Sequence, residues 1–237
     1  MVKVAEYIPS IYVCSDLANK PAFGHSRKKE NDMTTKEKLI IASTTAAGVV
    51  GALAVLSKLE GNTLNPKKFK KLKDSYIAKT KFFAKDVISM GAGSCVGGLI
   101  GGYIVDKDKE NRQAKNREAL LQMGNITIPI LTVDLLVETI FKNAKAVTKA
   151  IAGLGGVVIG VYLANFVMNK INDKIFGKED RRGVKPSDYM AHVDDVVCAA
   201  NYISKDNQIV HNIGRVIPLA LMVAGNEIGR KRAGSNK

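Results

Sequence analysis

Uncharged apolar blocks alternate with charged segments along the chain, and the blocks have the length of membrane-spanning helices. The clearest block is 87–105, VISMGAGSCVGGLIGGYIV, which carries no formal charge and lies between Asp86 and Asp106. At a rise of about 1.5 Å per residue it reaches ~28 Å, close to the ~30 Å hydrocarbon core of a bilayer. A soluble amphipathic helix would carry charges at every turn. The pattern therefore predicts a helix that crosses a membrane.

Further blocks of this kind predict an all-α fold, a multi-pass helical membrane bundle in which one block could be re-entrant. The candidate spans are 39–57, 87–105, 119–141, 150–168 and 208–228, and together they form a predicted membrane domain over 39–229. The third and fifth contain Pro129 and Pro218, and we expect each proline to bend its helix. The charged connector 106–118, after Val105, is expected to be solvated and to extend the helix.

Glycines recur three or four residues apart in two of the blocks, so they fall on one face of each helix. In a helix in water, glycine is about 1 kcal/mol less favourable than alanine. In lipid, it allows two helix backbones to approach closely. The blocks 39–57, 87–105 and 150–168 resemble glycine-zipper membrane helices on this motif. We predict helix packing at Gly93, Gly97, Gly101, Gly153, Gly156 and Gly160.

The segments outside the blocks are predicted to lie in water or at the membrane surface. Residues 1–38 form a predicted mobile tail, and residues 230–237 form a basic C-terminal tail. Thr34 or Thr35 can cap the first helix, with Glu37 in its first turn. Two amphipathic surface helices are predicted, at 66–85 and 187–204. In the second, Met190 is expected on the apolar face and His192 on a solvated polar face rather than in a metal site.

The net charge of +14 favours an anionic partner. Strongly basic chains bind nucleic acid or anionic lipid. The sequence has no zinc spacing, aromatic platform or other nucleic-acid motif, so we expect no nucleic-acid partner. The predicted partners are the bilayer and its anionic headgroups; a soluble face packed on the rest of the protein is the other interpretation of 66–85. The predicted headgroup contacts are Lys67, Lys68, Lys70, Lys71 and Lys73.

Three charged residues lie within the apolar blocks. Asp134 and Glu138 are one turn apart, and Arg215 is near the start of the fifth block. A carboxylate at the bilayer centre costs about 3 kcal/mol, so it normally faces a partner or water. Glu138 can pair with Lys142. For Asp134 the sequence leaves two interpretations, an ion or proton path and a structural hydrogen bond or salt bridge. Arg215 is expected to reach the interface or to pair with Asp134 across the bundle.

Motifs that carry chemistry are missing from the sequence. It has no phosphate loop, dinucleotide fingerprint, zinc-protease motif or nucleophile elbow. Cys14, Cys95 and Cys198 are too widely spaced for a disulfide framework or metal site. We therefore expect no enzyme, cofactor or metal.

The sequence predicts an integral membrane protein with a structural or membrane-organising role, packed through glycine faces that could also join copies in a homo-oligomer. One alternative is a small ion or solute channel or transporter with Asp134 and Arg215 in the bundle interior. A second alternative is a soluble helical interaction protein.

Overall fold

A computed structural model describes residues 33–59, 84–177, 181–192 and 216–234. Regular structure in this part is entirely helical, which confirms the predicted all-α class. The α-helices are α1 (Thr35–Leu59), α2 (Ala84–Val105), α3 (Lys109–Asp134), α4 (Ala146–Phe176) and α5 (Ile217–Arg230). Helix α3 continues into a π-helical stretch, Leu135–Ile140, and a 3₁₀ segment, Pro186–His192, lies between α4 and α5 in the sequence.

Four of the described helices are long and apolar enough to cross a membrane. They are α1, α2, α3 with its π-helical continuation, and α4, with 25, 22, 32 and 31 residues. The predicted fifth span, 208–228, is described only from residue 216 onward. There, α5 has 14 residues, or about 21 Å of helix. It is a shorter helix that packs among the long ones.

Local signals set where the helices begin. Glu37 accepts from the Thr34 backbone N–H at 2.8 Å while the Thr34 hydroxyl accepts from the Glu37 N–H at 3.2 Å, forming a capping box. Pro129 lies inside α3, as expected. Pro218 differs from the expectation, because α5 begins at Ile217 and the proline sits in its first turn. A proline costs no helical hydrogen bond there.

Helix α2 lies against α1 in an antiparallel pair. Gly48 of α1 faces Gly93 of α2, and Ile41, earlier in α1, faces Gly101, later in α2. The three-residue connector 106–108 then turns the chain back, so α3 also runs antiparallel to α2. The starts of α1 and α3 therefore lie at the same end of the bundle as the end of α2. We call this the Asp106 end, and the opposite one the Phe141 end.

Helix α5 runs parallel to α2. Gly225 faces Gly98, and one turn later Gly229 faces Gly102. The hydroxyl of Ser94 joins the two helices, since it donates to the Leu221 carbonyl at 2.7 Å and accepts from the Gly225 N–H at 3.1 Å. Helix α2 thus presents one glycine face to α1 and another to α5.

Helix α4 runs antiparallel to α3. Gly160 of α4 lies against Pro129, and Met168, later in α4, lies against Gly124, earlier in α3. Two apolar clusters fill the bundle. The larger one joins α1, α2, α3 and α5, and includes Val49, Met90, Ile126, Leu221 and Ile228. The smaller one lies towards the Phe141 end between α3 and α4, and is formed by Val133, Val137, Val157 and Val161.

Large apolar side chains also cover the outside of the long helices. A water-soluble bundle would present polar residues on these faces. The exposed residues include Val50 and Val55 of α1, Ile100 and Ile104 of α2, Leu131 and Leu135 near the end of α3, and Ile151, Val158 and Phe166 of α4.

Candidate functional site

The glycines predicted to pack helices in the second block face α1. A Cβ built on Gly97 would lie 2.9 Å from Thr45 Cα, and one on Gly101 would lie 2.9 Å from Ile41 Cα. A Cβ on Gly93 would lie 2.9 Å from the Ala52 side chain. Ordinary carbon–carbon contacts are about 3.5–4.0 Å. The two backbones are therefore closer than any larger residue would allow.

The glycines predicted to pack in the fourth block lie in α4. A Cβ on Gly160 would lie 2.9 Å from Pro129 Cβ, and one on Gly156 would lie 3.1 Å from Val133 Cγ2. Gly153 is buried on the same face. From the sequence, Gly98 and Gly102 are expected to extend the strip of Gly93, Gly97 and Gly101. The structure instead places them on a second glycine face of α2, against α5. The sequence signal for this second face was the four-residue spacing of Gly225 and Gly229 in α5, which matches the spacing of Gly98 and Gly102.

The predicted intramembrane acids are on the outside of the bundle. Asp134 and Glu138 are both exposed, whereas Val133 and Val137 occupy the inward side of the same turns. The structure therefore does not place Asp134 in the interior, where the channel interpretation required it. Arg215 lies outside the described residues, as do the five lysines predicted to contact lipid headgroups.

The buried polar groups that the structure does contain form an ionic cluster at the Asp106 end. The cluster joins the end of α2, the first half of α3, the segment before and within the 3₁₀ helix, and the end of α5. Its four acidic and four basic side chains give the cluster a formal net charge of zero. Its members are Asp106, Lys115, Glu118, Arg182, Asp188, Glu227, Lys231 and Arg232.

Arg182 is the centre of one half of the cluster. Its guanidinium contacts both carboxylate oxygens of Asp188, at 2.6 and 3.2 Å. It also lies 3.3 Å from Glu118 and 3.4 Å from Glu227. Burial lowers the pKa of Arg182, but these three carboxylates raise it by more, so the pKa lies above its ordinary value. Gln122 closes this half by donating to Glu118 at 3.0 Å and to Glu227 at 2.7 Å.

Lys115 and the chain after α5 form the other half. Lys115 lies 3.4 Å from Asp106 and donates to the Lys231 carbonyl. Arg232 contacts Asp106 at 2.8 Å, and the Lys231 ammonium lies 3.7 Å from Glu118. Lys231 and Arg232 are both buried. The first residues of the predicted basic tail, 230–237, are therefore packed into the bundle.

A polar stripe on α3 extends from the ionic cluster into the bundle. It comprises Lys115, Glu118, Gln122 and Asn125, whose spacing of three, four and three residues places them on one helix face. All four are buried. The stripe reaches inward to Asn125, about 15 Å of helix from Lys115. The polar stripe ends at Asn125, because the residues that face inward after it are Pro129 and Val133 of α3 and Val137 of the π-helical stretch.

At the inner end of the stripe, a histidine compensates for the proline in α3. Pro129 has no N–H, so the Asn125 carbonyl four residues earlier loses its helical donor. His192 Nε2 lies 2.7 Å from that carbonyl oxygen. Because a carbonyl only accepts, the Nε2 atom carries the proton. The 3₁₀ segment thereby completes the hydrogen bonding of α3.

The placement of His192 corrects the prediction for the surface helix at 187–204. His192 is fully buried and Met190 is 47% exposed, the reverse of the expected faces. The described part of that segment is the 3₁₀ helix, in which residues are three per turn rather than 3.6. A face deduced with the α-helical period therefore fails. Residues 193–204 lie outside the described part.

This arrangement has a structural consequence. Each charge of the ionic cluster faces an opposite charge. In the described ranges, no group of three or more His, Cys, Asp or Glu side chains could hold a metal ion. The cluster fixes the segment 181–192 and the chain after α5 to α3. Compared with known protein families, curated proteins and solved structures, the chain matches none of them.

Proposed function

We propose that the chain is an integral membrane protein whose role is structural, a close-packed helical bundle that organises the bilayer around it. The observation that carries this proposal is the apolar exterior of helices of spanning length. Val50, Ile100 and Val158 are exposed on three of these helices. In water, such a surface favours aggregation or a partner, whereas in lipid it is the surface expected of a transmembrane bundle.

The interior packing supports a structural role rather than transport. Helices α1, α2 and α5 meet through glycines, so their backbones leave no passage between them at Gly93, Gly97 and Gly98. Small residues at helix contacts are typical of helix association in lipid. The proposal assigns the chain no enzymatic reaction and no cofactor.

The proposed partners are the bilayer, its anionic headgroups and a second copy of the chain. The lysines at 67–73 are the proposed headgroup contacts, supported by their charge density and the net charge of +14. Each basic residue near an anionic surface contributes about 1 kcal/mol. A homo-oligomer is proposed because small residues on a helix surface permit close contact between helices in lipid.

Membrane fractionation after a carbonate wash tests the membrane assignment. We expect the protein to stay in the washed membranes and to be released by detergent. A matched pair of variants sharpens this result. Val158→Asp introduces a charge on the exposed middle of α4 and should cost about 3 kcal/mol of insertion. Lys174→Asp places the same aspartate at the exposed end of the helix, where a charge is already present, and should leave the membrane fraction unchanged.

Two outcomes would contradict the proposal. Recovery of the native protein in the soluble fraction, with Val158→Asp equally well folded, would leave a soluble helical interaction protein. Movement of ions or small solutes through liposomes that contain the purified protein would favour a channel or transporter. The structural proposal expects the same leak from these liposomes as from protein-free ones.

A further inference from the structure

The side chain of Asn125 is a buried amide that the packing of the bundle does not explain. It is fully buried, at 0% exposure. Neither its Nδ2 nor its Oδ1 atom has a hydrogen-bond partner in the part of the chain that the structure describes. The amide offers two donors and one acceptor. Its own backbone carbonyl, in contrast, is held by His192 at 2.7 Å.

Leaving such a group without partners is costly. A buried donor or acceptor that makes no hydrogen bond destabilises the fold by about 1–3 kcal/mol, and the low dielectric of a bundle interior increases the penalty. Buried polar groups that lack a protein partner are usually satisfied by ordered water. We propose that the Asn125 amide binds internal water at the inner end of the polar stripe.

The surroundings of Asn125 suit a water molecule better than an ion. Gln122 lies one turn away on the same face of α3, and the ionic cluster lies beyond it. Acids and bases balance in that cluster, so it favours neither a cation nor an anion. The amide itself offers two donors and one acceptor, and carbonyl oxygens in a helix keep a second lone pair, so a water on the amide can find the two to four polar partners it requires. The apolar residues Val133 and Val137 end the polar region on the far side.

A second unpartnered group shows what a dry site looks like in the same protein. Thr45 is fully buried, and its hydroxyl oxygen also has no partner. It lies where α1, α2 and α5 meet most closely. A Cβ built on Gly97 would be 2.9 Å from Thr45 Cα, and one on Gly225 would be 2.5 Å from Thr45 Cγ2. Because the helices approach this closely around Thr45, its hydroxyl is expected to stay dry, and Thr45 is the matched control for Asn125.

The test compares thermal unfolding of Asn125→Leu and Thr45→Val in detergent micelles. Each variant removes the polar atoms and keeps the number and branching of the side-chain heavy atoms. If Asn125 binds water, Asn125→Leu lowers Tm by roughly 3–6 °C, the shift expected for one or two lost hydrogen bonds in a chain of this size. Thr45→Val removes a dry, unpaired hydroxyl and raises Tm or leaves it unchanged. A rise in Tm for Asn125→Leu would overturn the proposal.

Because the leucine could also fail through its shape, a second measurement uses a thiol. Asn125→Cys is made in a chain with Cys14→Ser and Cys198→Ser, so that the buried Cys95 serves as the internal reference. Infrared spectroscopy follows the conversion of each S–H group to S–D after transfer to D₂O. The proposal expects the introduced thiol to exchange faster than Cys95. Equal exchange rates would overturn it.

Discussion

Gly98→Ala places a methyl group where helices α2 and α5 are in backbone contact. A Cβ at this position would lie 2.8 Å from the Cα of Gly225. The opposing atoms are backbone atoms, so no side-chain rotation can relieve the contact. The helices must instead separate by roughly 0.7–1.2 Å to restore an ordinary carbon–carbon distance. That movement also weakens the two hydrogen bonds of Ser94 to α5.

The expected loss follows from two opposing effects. Overpacking a well-packed interior costs about 1–3 kcal/mol, and the upper end applies when backbone must move. Alanine gains about 1 kcal/mol over glycine as a helix former. Gly98→Ala should therefore lower the free energy of unfolding by about 2 kcal/mol. At Gly51, on the outside of α1, nothing lies within 4 Å of a built Cβ. Gly51→Ala should be neutral or stabilising.

Reversible unfolding by SDS in mixed micelles, followed by far-ultraviolet circular dichroism, measures both variants. We expect their unfolding free energies to differ by about 3 kcal/mol. Equal stabilities would refute the reasoning, because α2 and α5 could then not be in backbone contact at Gly98. A large loss for Gly51→Ala would also refute it, since that result requires a neighbour at a position that the structure leaves open.

Three further predictions concern the polar groups. Arg182→Met should lower the unfolding free energy by about 3–5 kcal/mol, because it leaves buried carboxylates uncompensated. Arg181→Met, at an exposed ion pair, should leave the unfolding free energy nearly unchanged in the same SDS titration. His192→Ala alone should lower the unfolding free energy by about 1–3 kcal/mol. The loss should be smaller in a Pro129→Ala background, because residue 129 then supplies the helical N–H donor that Pro129 lacks. A double-mutant cycle measures this difference, and additive losses would contradict the role of His192 in compensating for the proline. Asp134→Asn should leave ion flux through proteoliposomes at the native level. A changed flux would instead indicate that the Asp134 carboxylate lies on a transport path.

The sequence was sufficient to predict the helices, but it was insufficient to predict the polar groups that are buried between them. Charge-free blocks of bilayer length and glycines at helical spacing are local signals, so the helices α1 to α4 and the face at Gly93 and Gly97 could be located in advance. The ionic cluster could not, because its partners are far apart along the chain. Lys115 and Glu118 sit in a segment of alternating charges that is usually solvated, and only tertiary contacts bury them.

The errors near the end of the chain also arise because a local pattern does not determine where a helix begins or which helical period it follows. Pro218 was expected inside a helix because the apolar run continues on both sides of it, but proline is equally suited to a first helical turn. His192 was assigned to a polar face by an α-helical period that its 3₁₀ segment does not follow. The direction of Asp134 likewise depends on tertiary packing, because Val133 and Val137 occupy the inward side of the same turns.

The ionic cluster also constrains the order in which the protein can be completed during its synthesis. The Lys115 side chain bonds a carbonyl 116 positions later, at Lys231. While the nascent chain is still short, the charges on the first half of α3 have none of their C-terminal partners. That half of the helix should stay in contact with water until the final residues emerge from the ribosome. A chain that terminates before Glu227 would therefore lack partners for these buried charges, and we do not expect it to fold as a smaller version of the bundle.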